Sequence, residues 1–355
     1  MTRFRWTMIA IAAGAIAVPY HAAPRAALLE LAQQLPEGAP PVGALHRGAN
    51  GQIEVIDPTK EKGTGKRLCD KGVVCVGPGQ AYTTLASAID AARNGDTIDV
   101  IGGTYHETAT IRASDVTVRG IDGRPHVDCS NMPIAGNKAC LLLAGDNITL
   151  DNLEISGAEL SPSLGANGAC VRSEPGRSFT LRGLICHGSQ DGLLTDGGSA
   201  VIETSEFYDN GWTGSTHNVY LSGDCKSVTV RGSIFRDARV GHEFKSRCAK
   251  TEITDSTFRG TRGSRDLDIP DGGDTLVYHS TLLMTQGAES DEVVEFAAES
   301  CRVPADMVLK DDRIINERAR MIIHNFDTCQ GHPIILDGVT FEGPPPIEQG
   351  YVLKR

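Results

Sequence analysis

The sequence predicts an all-β solenoid, a single-stranded right-handed parallel β-helix closed at its N-terminal end by one short α-helix. Three observations predict it. An apolar-alternating segment recurs along most of the 355 residues, a lone stretch of helical periodicity precedes the recurrence, and cysteines fall at matching places in neighbouring repeats. An array that grows along one axis absorbs a length that would otherwise suggest two globular domains.

The first residues read as an address. Arg3 and Arg5 precede an apolar run over residues 8–18, and Ala22 and Ala23 follow it. That is the layout of a secretory signal peptide over residues 1–23, with a run too short for a membrane-spanning helix. The mature protein is therefore expected to be periplasmic or secreted, without membrane association. Residues 24–66 read as an extension, with a short helical stretch at 26–34 and the linker-like LPEGAPP at 35–41. The β-helix domain is expected over residues 67–355. At its start Leu85, Ala88, Ile89 and Ala92 take the i, i+3, i+4, i+7 spacing of an amphipathic helix over 83–94, stopped by Asn94-Gly95. This helix is expected to cover the open end of the core.

The repeat is carried by VTVRGI (116–121), ITLDNLEI (148–155), FTLRGLIC (179–186), AVIETSEF (200–207), VTVRGSIF (228–235), TEITDSTF (251–258), TLVYHSTL (275–282), MVLKDDRI (307–314) and IILDGVTF (334–341). Their last apolar residues, Ile155, Cys186, Phe207, Phe235, Phe258, Leu282, Ile314 and Phe341, stand 21 to 32 residues apart, as coils with variable loops require. Each coil has a second alternating strand, as in Val219/Leu221, Leu267/Ile269 and Val294/Phe296. Alternation sends one set inward and the other out.

Ten cysteines in an exported chain point to disulfides. Cys69–Cys75 closes a short loop, Cys225–Cys248 and Cys301–Cys329 staple adjacent coils, and Cys129–Cys140 and Cys170–Cys186 complete the expected set. No tight CxxC pair with nearby histidines suggests a metal site. A net charge of −11 argues against nucleic acid or an anionic membrane as partner. A local basic cluster can still bind a polyanion.

Levelling Val219 and Leu221 with His242 and Phe244, and then with Leu267, gives an outward row on neighbouring coils. Tyr220 and Ser222 lie beside Glu243 and Lys245, these beside Asp266 and Asp268, with Glu295 one coil on and Arg172 and Asp196 at the start. Coils about 4.8 Å apart give six of them a track of roughly 24 Å, long enough for a linear polysaccharide and expected to serve one monomeric chain. Lys245 and Arg247 share a strand face, so the permanent guanidinium is expected to lower the lysine and make it a base for the proton α to a uronate carboxylate. Arg247 would neutralise the developing enolate. Glu243 or Asp268 would orient the sugar or hold a bridging cation. The plain alternative is a solvated charge ladder of Lys245 and Arg247 with Glu243, Asp266 and Asp268. His217 and His242 fall near core-side positions, Asn218 suits an amide ladder or a site, and Trp212 either plugs the core or stacks on a sugar. Arg172, Trp212, Asn218, Tyr220, His242 and Asp266 are the expected substrate-binding residues.

The segment VGPGQAYTTLASAIDAARNGDTIDVIGGTYHE (76–107) resembles the entry to the fold in the pectate-lyase-like β-helix superfamily, and the likeness extends over about residues 75–345. HNVYLS (217–222), VGHEFKSR (240–247) and DLDIPDGG (266–273) resemble a group of exported bacterial β-helix proteins. The Lys245-Ser246 pair is similar to the catalytic KS dipeptide of alginate and chondroitin lyases of this fold. Those enzymes place an arginine on the next coil, where this chain has Asp268-Ile269-Pro270. Their calcium-binding residues before the lysine reduce here to Glu243, so calcium is the one cofactor the resemblance suggests. Polygalacturonase-type relatives imply instead a hydrolase on Asp266, Asp268 and Glu243. Their NTD, DD and GHG motifs are absent, although Gly241-His242-Glu243 approaches the last, and Asp271-Gly272-Gly273 also reads as a simple turn. The resemblance thus implies a lyase acting on an acidic polysaccharide, with a hydrolase or a non-catalytic glycan-binding scaffold as alternatives.

Overall fold

Period-two alternation gives every repeat one apolar face, and parallel stacking buries that face in all of them at once. The computed structural model describes Cys69 and residues 73–355, together with the backbone of four short strands before them. Met8–Ile11 pairs antiparallel with Gly14–Ala17, and Leu45–Arg47 with Ile53–Val55. The chain divides into two compact units, residues 1–42 and 43–355. Apart from those strand backbones, the expected signal segment, the helical stretch at 26–34 and the linker at 35–41 lie outside the described residues.

From residue 97 onward each complete coil contributes one strand to each of three parallel sheets. In chain order the first sheet has twelve strands, from Val74–Val76 to Val352–Lys354, and the second has ten, from Thr104–Tyr105 to Thr340–Glu342. The third also has ten, from Ala109–Ile111 to Ile347–Gln349. The expected β-helix is what forms. Second-sheet register matches the sequence alignment throughout, with Ile155, Cys186, Phe207, Phe235, Phe258, Leu282, Ile314 and Phe341 paired in succession. Three of these residues form an internal aromatic stack, Phe207 on Phe235 at 5.7 Å and Phe235 on Phe258 at 5.1 Å between ring centroids.

The corner between the first and second sheets shows why the coils turn where they do. One residue per coil is left-handed there, including Asn152 (φ 53°), Gly183 (φ 58°), Gly232 (φ 57°), Asp255 (φ 52°) and Asp311 (φ 51°). Glycine, asparagine and aspartate enter that region at least cost. The next residue is often serine, and the backbone N–H groups of Ser205, Ser233 and Ser256 donate to the hydroxyls of Ser233, Ser256 and Ser280 one coil on. This ladder satisfies groups that the tight corner removes from sheet pairing.

The N-terminal helix spans Leu85–Ala91, shorter than expected because Ala92 already serves as its C-cap. Leu85, Ala88 and Ile89 are buried in the main core, so the helix closes the solenoid as predicted. Glu107 accepts from the N–H groups of Leu85 (3.1 Å) and Ala86 (2.7 Å) at its open N-terminus. Four disulfides form: Cys69–Cys75, Cys129–Cys140, Cys225–Cys248 and Cys301–Cys329. The expected Cys170–Cys186 bridge does not form, and both thiols are free and buried. Cys186 occupies an inward position of the second sheet in line with Ile155 and Phe207, where it packs as a small apolar side chain. No helix among the described residues is long and apolar enough to cross a membrane.

Candidate active site

The third sheet carries the row of outward side chains, and its register differs by two residues from the expected one. Val219 pairs with Phe244 and Leu221 with Ser246, so Tyr220 lies beside Lys245 instead of Glu243. The cause is local. Gly241, at φ 74° and pressed against the Thr216 carbonyl, turns the chain, and the strand begins only at Phe244. His242 and Glu243 thus belong to the approach to the strand. An even slip leaves the residues within the strands on their predicted faces but exchanges their neighbours. The observed row is Arg172, Leu194, Tyr220, Lys245, Asp268, Glu295 and His324 on successive coils. Leu194 takes the place expected for Asp196.

Three expected site residues leave the outer face. Glu243 is fully buried, accepting from Asn218 Nδ2 and from the Ala238 N–H at 3.0 Å. Burial, with Asp266 nearby, pushes its pKa well up, and with both oxygens engaged inside the coil it does not face the groove. Asp266 is also fully buried and raised by burial. Asn218 is the internal amide of the two alternatives, linked to Asn210 at 2.9 Å. The expected catalytic Glu243 and substrate-binding Asp266 and Asn218 thus lie inside the coil, and of the expected hydrolase set Asp266, Asp268 and Glu243 only Asp268 stays in the outward row. The calcium suggested by resemblance finds no fitting donor set at Lys245, because the Glu243 oxygens are engaged inside and Asp268 Oδ2 faces the Lys245 ammonium.

At the row's centre lies a charge cluster. Lys245 Nζ is 2.8 Å from Asp268 Oδ2, which His242 Nε2 also approaches at 3.2 Å. The Asp268 side chain is only 1% exposed. Burial opposes its ionisation, but the His242 hydrogen bond and the Lys245 ammonium override it and hold its pKa well below the ordinary range. Burial likewise pulls Lys245 down, yet Asp268 and Glu299 outweigh it, and its pKa lies above the usual lysine value. This corrects the expectation of a neutral lysine. Arg247 is the more distant influence, whereas two carboxylates touch the ammonium directly. His242 is kept neutral mainly by burial, and its ring stacks on His217 at 4.6 Å. His217 is buried too, as anticipated for a core-side histidine.

Arg247 lies just beyond the strand end. Its Nη1 meets Asp271 Oδ1 at 2.8 Å, its Nη2 meets Glu299 Oε2 at 2.6 Å, and its Nε–H donates to the Tyr220 hydroxyl at 2.9 Å. Glu299 also reaches Lys245, Oε1 to Nζ at 3.1 Å. One carboxylate thus bridges both cations, and its side chain is 50% exposed while those of Lys245 and Arg247 are 10% and 17% exposed. The Asp271-Gly272-Gly273 segment, read as a turn, supplies the buried anchor of Arg247. Glu299 escaped sequence reading because it follows a strand, in a loop with no periodicity.

Beyond Asp268 the row continues into Glu295, whose carboxyl burial and the Asp268 charge push up to about 8, while Arg265 at 2.6 Å opposes the rise. Arg172 keeps its outward place at the other end. Trp212 is 55% exposed, so it does not plug the core. It stands before Val219–Leu221, where the chain enters the third sheet, whereas Arg247, Asp271 and Glu299 follow strands of that sheet.

Residues 105–286 match the family model described as right handed beta helix region. Among solved structures the chain is similar to an alginate lyase from Paenibacillus sp. str. FPU-7, at 14% identity over 76% of this chain and 95% of that one, with a TM-score of 0.57. It is also similar to pectate lyase Pel9A, at 15% identity over 77% and 78% of the two chains and a TM-score of 0.51. A pectin methylesterase from Aspergillus niger aligns at 16% identity over 81% and 86%, with a TM-score of 0.45. At such identities the likeness extends to the fold, including its right hand. No curated protein matches the sequence at a significant level.

Proposed function

We propose that this chain, which belongs to the family of proteins with a right-handed β-helix region, is an exported protein that cleaves an acidic, uronate-containing polysaccharide by β-elimination on the outer face of its third sheet. One observation carries the reading. Lys245 and Arg247, both largely buried, converge on the single exposed carboxylate of Glu299. The same two cations would receive a uronate carboxylate once Glu299 swings aside, and each half of the clamp is braced from behind, Lys245 by Asp268 and Arg247 by Asp271.

Elimination requires charge stabilisation where the carboxylate becomes an enolate, and preorganised cations in a water-poor site provide it most strongly. Lys245 and Arg247 take that role together. Tyr220 is the group positioned to move the proton, because its hydroxyl accepts the Arg247 Nε–H beside both cations. The tyrosine oxygen takes the C5 proton while its own hydroxyl proton passes to O4, the C5–H electron pair forms the C4–C5 double bond, and the C4–O4 bond breaks with its electrons on O4, so that Tyr220 ends as a neutral hydroxyl. Alginate and pectate lyases are among the similar folds, and four disulfides suit an oxidising compartment.

A glycoside hydrolase is the second reading, favoured by Asp268 and Glu295 on adjacent coils with pKa values displaced in opposite directions. Incubation with alginate, polygalacturonate and glucuronan separates the two. The elimination reading expects ultraviolet absorbance from the new unsaturated uronate in step with chain cleavage. New reducing ends without absorbance would select the hydrolase, and neither product from any of these glycans would refute both on this panel.

A further inference from the structure

The second sheet carries an unassigned cluster on a face the reaction does not use. His126 and Glu154 pair across adjacent strands, and His187 stands one coil further, level with Ser156. One ligand atom from each of the three lies within 4.8 Å of the others. His187 Nε2 and Glu154 Oε1 are 3.1 Å apart, and His126 Nε2 is 2.8 Å from the Ser156 hydroxyl. All three side chains are partly buried.

The rings are preset. His187 stacks on Tyr208 at 4.8 Å and 9° between planes, and Tyr208 in turn lies under the Arg236 guanidinium at 4.3 Å. The two imidazole centroids are 6.0 Å apart. Two imidazoles on one tetrahedral zinc, with Zn–N of about 2.0–2.1 Å, stand about 5 Å apart by the same measure, which a small side-chain rotation achieves. Two imidazole nitrogens and a carboxylate oxygen form a donor set that suits Zn²⁺ and leaves a fourth position for water. The opposing charge is Arg124, which faces Glu154 and whose Nη1 is tied to the Gly183 carbonyl.

We propose that His126, Glu154 and His187 form a Zn²⁺ site that clips three consecutive coils together. Its placement complements the covalent framework. Cys225–Cys248 and Cys301–Cys329 staple coils further along, whereas in the span that the triad bridges Cys129–Cys140 closes only a short loop and Cys170 and Cys186 remain free. Binding restricted to the folded chain raises stability by linkage.

The test uses the full chain, stripped with a chelator and titrated with zinc chloride against a chromogenic competitor, while thermal unfolding is followed in parallel. One equivalent should bind and raise the melting temperature. His187→Ala and Glu154→Gln should each weaken binding by at least about tenfold, the scale on which even outer-shell partners act, while His106→Ala leaves it unchanged. The unaltered protein loaded with cobalt(II) gives a readout independent of variant folding, because four-coordinate cobalt shows strong visible d–d bands. Absence of saturable binding, unchanged affinity in a folded His187→Ala protein, or the weak bands of six-coordinate cobalt would each overturn the site.

Discussion

Replacing Asp268 with asparagine tests whether the centre of the row is an ion pair held in a dry environment. Asp268 Oδ2 lies 2.8 Å from Lys245 Nζ, and the two side chains are 1% and 10% exposed. At an effective dielectric near 20 the attraction at that distance is about 6 kcal/mol, against a desolvation cost of several kcal/mol per ion. Deleting one partner removes the attraction and leaves the other's desolvation in place, which typically costs about 3–5 kcal/mol. Glu299 remains beside Lys245 but is half exposed and solvent-screened, so it offsets little. Asp268→Asn is therefore expected to lose about 3 kcal/mol or more in urea unfolding at neutral pH. The pH dependence adds a second signature. The folded pKa of Asp268 is depressed, so its contribution is complete above the unfolded value of about 3.9 and is lost as pH falls below it. The variant should lack that component of acid destabilisation. A loss under about 1 kcal/mol with an unchanged acid limb would refute the buried pair, since that is the range of exposed ion pairs.

Four other outcomes follow from the same geometry. Glu299→Ala should leave stability within about 1 kcal/mol, since the pair is exposed on its carboxylate side, while lowering KM for a polyuronate in steady-state assays. Phe235→Ala, which opens the middle of the aromatic stack, should cost about 3–5 kcal/mol by urea unfolding. Opening Cys225–Cys248 by double serine substitution should cost about 3 kcal/mol, the loop-closure value for a separation of 23 residues. Glu295 has a folded pKa raised to about 8, so its stabilising contribution is present below its unfolded pKa and is lost as pH rises through about 8. Glu295→Gln should flatten that loss, which runs from the unfolded value of about 4.3 up to about pH 8, in melting temperatures measured across pH.

The repeat was legible because alternation and stacking are one signal. The second-sheet residues from Ile155 to Phe341 pair as aligned, since an apolar residue must recur inward on every coil. Third-sheet strands are short and preceded by loops of uneven length, so the apolar pattern could not tell Val219–His242 from Val219–Phe244. The faces of the strand residues survived that slip, and Lys245 kept Asp268 as its neighbour, but Tyr220 gained Lys245 in place of Glu243. Lys245, Arg247, Asp268 and Tyr220 were found in sequence because they occupy outward positions of regular strands or the residue just past one. Glu299 was not, because its place beside both cations depends on a loop path that no periodicity records. Glu243 and Asp266 misled for a related reason, as these acidic residues two positions before a strand's centre fold inward, where burial raises their pKa values.

The central claim is that Lys245 and Arg247 together neutralise a uronate carboxylate during elimination. Its most direct test is the initial rate of ultraviolet absorbance increase on a cleaved polyuronate, wild type beside Lys245→Ala and Arg247→Ala, each confirmed to be folded. Loss of one preorganised charge should lower kcat by about 10²–10³-fold in each variant. Rates within a fewfold of wild type in either folded variant would contradict the clamp.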